Sequence, residues 1–301
     1  MAVVINTNVD SIKIQNILST STTRMSQSMQ RMSTGLKINS AKDDAAGTKI
    51  SARMVVQLNG NKVAQTNVQS ASAMLATAEG NLDTIQNNLS RIRDLTLQAK
   101  NGTYDSTEIQ ALQDEVKQRL DEINRISDNS KYSQLSLFED VDGLQTNGSM
   151  FQVGANGSKD NTIEADSSIF KSVKFSLITG IKEYDLTKIT NQQKQGGETT
   201  PTVDNPEAVT SFETAIECLD AGIENITQRK SVIGSVGNRL DSAYETLTTQ
   251  YENLSSAKSI ITDTDVASEA SRFTQNQILQ QVSTSLLAQA NQAPSIALSL
   301  I

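Results

Sequence analysis

A chain of 301 residues with 37% hydrophobic residues can bury a core, but only 4% are aromatic and none is Trp, so the apolar content is mostly Ala, Leu, Ile and Val scattered among Ser, Thr, Asn and Gln. With no His and a single Cys218, the commonest general base, the soft metal-ligand sets and an internal disulfide are all excluded. The net charge is −8 with Lys and Arg interspersed among Asp and Glu, which leaves no basic footprint for nucleic acid or anionic lipid.

In chain order, the first predicted element is an amphipathic helix in which Leu18, Met25, Met29, Met32 and Leu36 recur at spacings of three, four and seven, ended by Gly35. The start MAVVINTNVDSIKIQN lacks the basic n-region, apolar h-region and cleavage site of a secretory signal, which alone would place the chain in the cytoplasm. The linker KINSAKDDAAG offers Ser40 as a cap, Asp43 and Asp44 for a helical first turn, and Gly47 as a flexible point. Next comes the strongest periodic signal. Val68, Ala71, Leu75, Ala78, Leu82, Ile85, Leu89 and Ile92 alternate steps of three and four, a heptad stripe on a long helix that requires helical partners.

Asn101-Gly102 breaks that helix, and Ser106 or Thr107 caps the next, predicted over 107–127 with Ile109, Leu112, Val116, Leu120 and Ile123 on one face. After Phe138 the pattern changes: MFQVGAN (150–156), NTIEAD (161–166) and SVKFSLI (172–178), set between Asn-Gly and Gly-Ser turns, read as β-hairpins. Residues 190–207, with two of the three prolines and no apolar period, read as an exposed loop.

A second heptad run follows in Phe212, Leu219, Ile226, Ile233, Leu240, Leu247, Leu254 and Ile261, with companions Ile216, Ile223, Lys230, Gly237, Tyr244, Tyr251 and Lys258 that are partly polar. The last helix carries Leu279, Val282, Leu286 and Leu287 up to Pro294, with Leu298 and Leu300 beyond. From Phe273 to Ile301 no side chain is charged, yet no 18-residue apolar run exists, so the segment cannot span a bilayer and must bury its leucines against protein. The two end helices match in length and low charge, and each follows a short Asp-rich link. Neither is stable alone.

The fold class is therefore mainly α: a long-helix coiled-coil bundle built from both chain ends, with a small β-hairpin region in the middle. We divide it into 1–43, the N-terminal half of an inner terminal-helix domain; 44–178, the N-terminal part of the bundle with its hairpins; 179–207, a short variable exposed loop; 208–262, the C-terminal helix of the bundle; and 263–301, the C-terminal half of the inner domain. The bundle seam is Leu75, Leu82, Ile85, Leu89, Ile92, Leu219, Ile226, Ile233, Leu240, Leu247 and Leu254. An enzyme is not indicated: no GxGxxG, Walker or HExxH pattern occurs, and the acidic pairs Asp43/Asp44 and Asp263/Asp265 are explained as helix caps. No cofactor or metal is called for.

INTNVDSIKIQN (5–16), MSTGLKINSAKDDAAG (32–47), LSRIRDLTLQAKNGTY (89–104), FQVGAN (151–156), NLSSAKSIITDTDVASE (253–269) and ILQQVSTSLLAQANQAPSIALSL (278–300) are collinear and together resemble bacterial flagellin. The resemblance implies a structural subunit of the extracellular flagellar filament of swimming bacteria. Its terminal helices would pair on assembly, through Leu18, Met25, Met29, Met32, Leu36, Leu279, Val282, Leu286, Leu287, Leu298 and Leu300, into a helical homopolymer. It implies export as an unfolded chain through the flagellar type III pathway, without a cleaved signal peptide. The implied partners are an export chaperone at the C-terminal helix, filament cap and hook–filament junction proteins, and a Toll-like receptor meeting Arg91, Leu95 and Glu115. Neither nucleic acid nor membrane is among them. Residues 179–207 stand where larger flagellins insert outer domains. Two other readings are a hook–filament junction protein, which shares the end-helix plan, and an adhesin acting through the loop at 190–207.

Overall fold

The computed structural model describes residues 8–138, 149–193 and 211–298. The chain forms two compact units, one of residues 1–59 and 250–301 and the other of residues 60–249.

The larger unit is organised by two long helices, α2 (Ala45–Lys100) and a later one, α6 (Phe212–Thr262), which run antiparallel within it. Their side-chain bridges form a ladder. Lys100 meets Glu213, Arg93 meets Asp220 at 2.5 Å and Gln86 meets Thr227 at 3.5 Å, so each heptad down α2 is one heptad up α6. Lys230–Asp83, Gln69–Tyr244 and Gln65–Thr248 continue the same register. Between the polar flanks lies the predicted stripe: Leu75, Leu82, Ile85, Leu89 and Ile92 on α2, and Leu219, Ile226, Ile233, Leu240 and Leu247 on α6, are all buried. Leu254, which belongs to the smaller unit, is half-buried.

The companion stripe on α6 differs from expectation. Ala215, Gly222, Arg229 and Val236 are the buried partners, whereas Ile216, Ile223, Lys230 and Gly237 are only half-buried. Small residues and an arginine do not register as a hydrophobic repeat, although they occupy the inner positions. Arg229 donates to the Lys171 carbonyl at 2.6 Å and to Asn225 at 2.8 Å, and burial pushes its guanidinium below the usual arginine range.

A third helix, α3 (Ser106–Asn129), returns along α2 with Val116, Ile123 and Ile126 buried. Its N-cap is Asp105 rather than Ser106 or Thr107: the Asp105 carboxylate takes the first-turn donors and Glu108 reaches back to the Asp105 N–H at 3.0 Å. Two small antiparallel hairpins follow, β1 (Lys131–Tyr132) with β2 (Leu135–Ser136), and β3 (Ser149–Gln152) with β4 (Thr162–Ala165), where Phe151 faces Ile163. The loop after β3 rests directly on α2: a Cβ at Gly60 would lie 2.7 Å from that of Ala155.

Beyond β4 the expected third hairpin segment is helical. Residues 172–178 contribute α4 (Phe175–Thr179), and α5 (Leu186–Gln193) follows. Ile178, Ile181, Tyr184, Leu186 and Ile189 are buried in the core, so 179–189 is an integral layer of the bundle and not an exposed loop. Gln113 fastens it by accepting from the Leu186 N–H at 2.8 Å and donating to the Tyr184 carbonyl at 3.1 Å. The Tyr184 hydroxyl meets Thr96 Oγ1 at 2.5 Å, and burial raises its pKa. The rest of the segment expected as a loop, 194–207, lies outside the described residues.

Candidate functional site, the terminal helix pair

In the smaller unit, α1 (Val9–Thr34) and α7 (Val266–Leu298) lie antiparallel. Each begins at an amide or carboxylate cap. Asn8 Oδ1 accepts from the Ser11 N–H at 2.9 Å, and Asp265 Oδ1 accepts from the Ala267 N–H at 2.9 Å. Gly35 closes α1 as predicted. The connecting strands then touch once, with Lys37 N–H on the Thr262 carbonyl at 2.7 Å and Thr264 N–H on the Gly35 carbonyl at 2.9 Å. α2 starts at Asp44, whose carboxylate accepts from the Gly47 N–H at 2.9 Å. Ser40 is no cap; it donates to Asp43, and those bonds hold the Asp43 carboxyl below its usual range. Gly47 is a packing glycine, not a hinge, because a Cβ there would sit 2.6 Å from Ile38 Cδ1.

The helix–helix seam follows the heptad spacing with unexpected occupants. On α1 the inward positions are Ser11, Ile14, Leu18, Ser21, Met25, Ser28 and Met32; on α7 they are Glu269, Phe273, Asn276, Gln280, Ser283, Leu287 and Ala290. The fully buried members are the serines and Glu269. Their polar atoms bond across the seam: Ser11 Oγ with Asn291 Oδ1 at 2.9 Å, Ser21 Oγ to the Asn276 carbonyl at 3.3 Å, and Gln280 Nε2 to Thr22 Oγ1 at 3.3 Å. Glu269, 3% exposed, faces Arg272 at 3.5 Å and Arg31 at 4.0 Å. Small side chains let the backbones approach, and the hydroxyls of Ser11 and Ser21 find partners on the facing helix.

Of the residues expected to pair the ends, Leu18, Met25, Met32 and Leu287 are therefore in the seam, and Leu36 has left the helix for the bridge opposite Asp263. Met29 points outward, as do Leu279 (41% exposed), Val282 (47%) and Leu286 (46%). Ile278, Leu279, Val282 and Leu286 make an apolar face on α7 that the intramolecular pair leaves open, while Val9, Ile12, Ile17 and Met29 are open on α1. The side chain of Leu298 and all of Leu300 lie outside the described residues. Sequence reasoning missed Ser11, Ser21, Ser28, Ser283 and Glu269. Their signal was the three-four spacing itself, hidden by their polarity.

The cleft where α1, the linker and α7 converge measures about 480 Å³, and its charged lining is Arg31, Lys37 and Arg272 against Asp43, Asp44, Asp263, Asp265 and Glu269, an acidic excess. Among the described residues no cluster of His, Cys, Asp or Glu could hold a metal ion, and no helix is long and apolar enough to cross a membrane. The expected receptor residues lie in the larger unit. Arg91 and Glu115 are joined by two bonds at 2.8 and 3.1 Å, which lower the Glu115 pKa, and their ends remain partly exposed. Leu95 is fully buried beside them and presents no surface.

A heptad bundle and a unit of paired end helices with an open apolar face are the architecture of a helical structural protein. The match to known sequences is specific: the bacterial flagellin N-terminal helical region matches residues 5–142 and the bacterial flagellin C-terminal helical region matches residues 216–301. The chain is 34% identical to a flagellin of Bacillus subtilis (strain 168) over 99% of both chains, and 36% identical to a flagellin of Xenorhabdus nematophila over the full length of both. The solved Bacillus cereus flagellin is similar at 27% identity and a TM-score of 0.44, over 64% of this chain and 94% of that one. The chain belongs to the bacterial flagellin family and is a structural protein, not an enzyme.

Proposed function

We propose that this chain is the subunit of an extracellular flagellar filament and polymerises through its terminal helices, which order on assembly. The observation that carries this reading is the open stripe Leu279, Val282 and Leu286 on α7, displayed by a helix whose inward face is mostly polar. Such a pair gains little from its own seam, so its apolar surface is buried by neighbouring copies. In a helical homopolymer that contact is repeated without closure. Seeding tests it directly: purified chain added to sheared filament fragments should elongate them, and a chain that stays monomeric on seeds would reject the polymer reading.

Before assembly the same α7 face suits an export chaperone, which would keep it covered during passage through the flagellar type III route as an unfolded chain. A chain with no disulfide to thread is compatible with that route. Cap and hook–filament junction proteins would meet the same terminal helices at the filament ends. For the Toll-like receptor, the surface available is the Arg91–Glu115 pair, with Leu95 acting as its buried support. Replacing Arg91 by Ala should lower signalling in a receptor reporter cell; an unchanged response would remove this pair from the reading.

A further inference from the structure

The helix α7 runs through Pro294 to Leu298, past the point where the sequence predicts its end. Proline has no N–H, so the carbonyl four residues earlier, that of Ala290, loses its helical donor. An orphaned carbonyl within a packed pair needs another partner. It has one: Asn8 Nδ2, reaching over from α1, lies 2.7 Å from the Ala290 oxygen. The same amide uses its oxygen to cap α1 through the Ser11 N–H at 2.9 Å.

We infer that Asn8 is a positioning residue that sets the register of the terminal helices, by supplying to α7 the hydrogen bond that Pro294 removes. Only one carbonyl in the seam is vacated in this way, so only one axial alignment lets Asn8 serve both helices at once. At the opposite end, buried Glu269 adds a penalty for a slip because displacement takes Arg31 of α1 away and leaves the carboxylate with Arg272 of its own helix alone. Polar groups inside a coiled-coil seam act in this manner, trading stability for a defined partner and register. Few other side chains can do both jobs. A carboxylate has no donor, serine is too short to cross to α7, and glutamine lengthens the arm that caps α1.

The inference rests on the assembly reading, and the test separates the two. Elongation of wild-type chain from seeds examines assembly itself. Asn8→Ser then keeps a capping oxygen for α1 but cannot reach Ala290, and it should elongate about tenfold more slowly. In an Asn8→Ser/Pro294→Ala chain the new N–H at 294 bonds Ala290 from within α7, and elongation should return to within about threefold of wild type. Register is read in the filaments by a short bis-maleimide cross-linker between Thr22→Cys and Gln280→Cys in a Cys218→Ser chain, which should couple well with Asn8 present and poorly with Asn8→Ser. An Asn8→Ser chain that elongates as fast as wild type overturns the inference. So does a double variant as slow as the single, since the loss would then come from the α1 cap and not from the vacated carbonyl.

Discussion

The terminal pair and the α2/α6 bundle use the same heptad spacing to opposite ends. In the bundle the inward positions are Leu and Ile, and the polar side chains stand on the flanks as a ladder. In the terminal pair the fully buried positions are Ser11, Ser21, Ser28, Ser283 and Glu269, while Leu279, Val282 and Leu286 stand outside. Spacing therefore determines which residues meet, while composition determines whether the meeting is self-sufficient. The bundle buries its apolar stripe within one chain, whereas the terminal pair leaves Leu279, Val282 and Leu286 open.

The largest effect on this contrast is expected from Leu286→Asp. A carboxylate on the open face should abolish filament growth on seeds while leaving the thermal unfolding of the bundle, followed by circular dichroism, where it was. Filaments of normal yield would place the assembly contact elsewhere. Leu89→Ala breaks the other region: a cavity at a fully buried seam position should remove about 3 kcal/mol of stability in denaturant melts of the free chain. A loss no larger than at an exposed site would contradict a tight seam.

Smaller still, Asp105→Ala removes the α3 cap and should lower stability measurably but less than Leu89→Ala in the same melts, with filament growth little changed. The smallest effects concern pH. Asp43, Asp105, Asp263 and Glu115 are held below the ordinary values of 3.8 for Asp and 4.5 for Glu, mainly by hydrogen bonds from Ser40, Ser106, Ser259 and Arg91 respectively. A lowered folded value means the unfolded chain binds more protons. The stabilisation is thus complete above the ordinary carboxylate range and is lost as pH falls through the lowered values. With no His in the chain, melts should be flat from neutrality down to that range. A step between pH 6 and 7, the range of an ordinary imidazole, would contradict this assignment.

How much of this was legible in the sequence follows from the kind of signal each part carries. The α2 and α6 stripes were readable because Leu and Ile mark the buried side, and the 150–166 hairpin because its strands alternate around turn residues. The terminal seam is legible only at Leu18, Met25, Met32 and Leu287, because Ser, Asn and Gln at its other inward positions look like a solvated face. The outward Leu279, Val282 and Leu286 look like the buried one. Residues 172–189 were misread for another reason. Val173, Phe175, Ile178 and Ile181 suit a strand as well as a short buried helix, and the segment is held by partners distant in sequence: Asn124 accepts from the Phe175 N–H, and Gln113 and Thr96 hold Tyr184. Asn8 was invisible for the same cause: its role depends on a proline at the other end of the chain.

The ladder that joins α2 to α6 has one more consequence. Its rungs, from Lys100–Glu213 down to Gln65–Thr248, index the stem from its own side chains, like marks on a sliding rule. The alignment of the two helices therefore does not depend on how many residues are threaded between them. A stem that measures itself can carry a long ornament, a short one, or almost none at its tip, and still offer the same shaft to its neighbours.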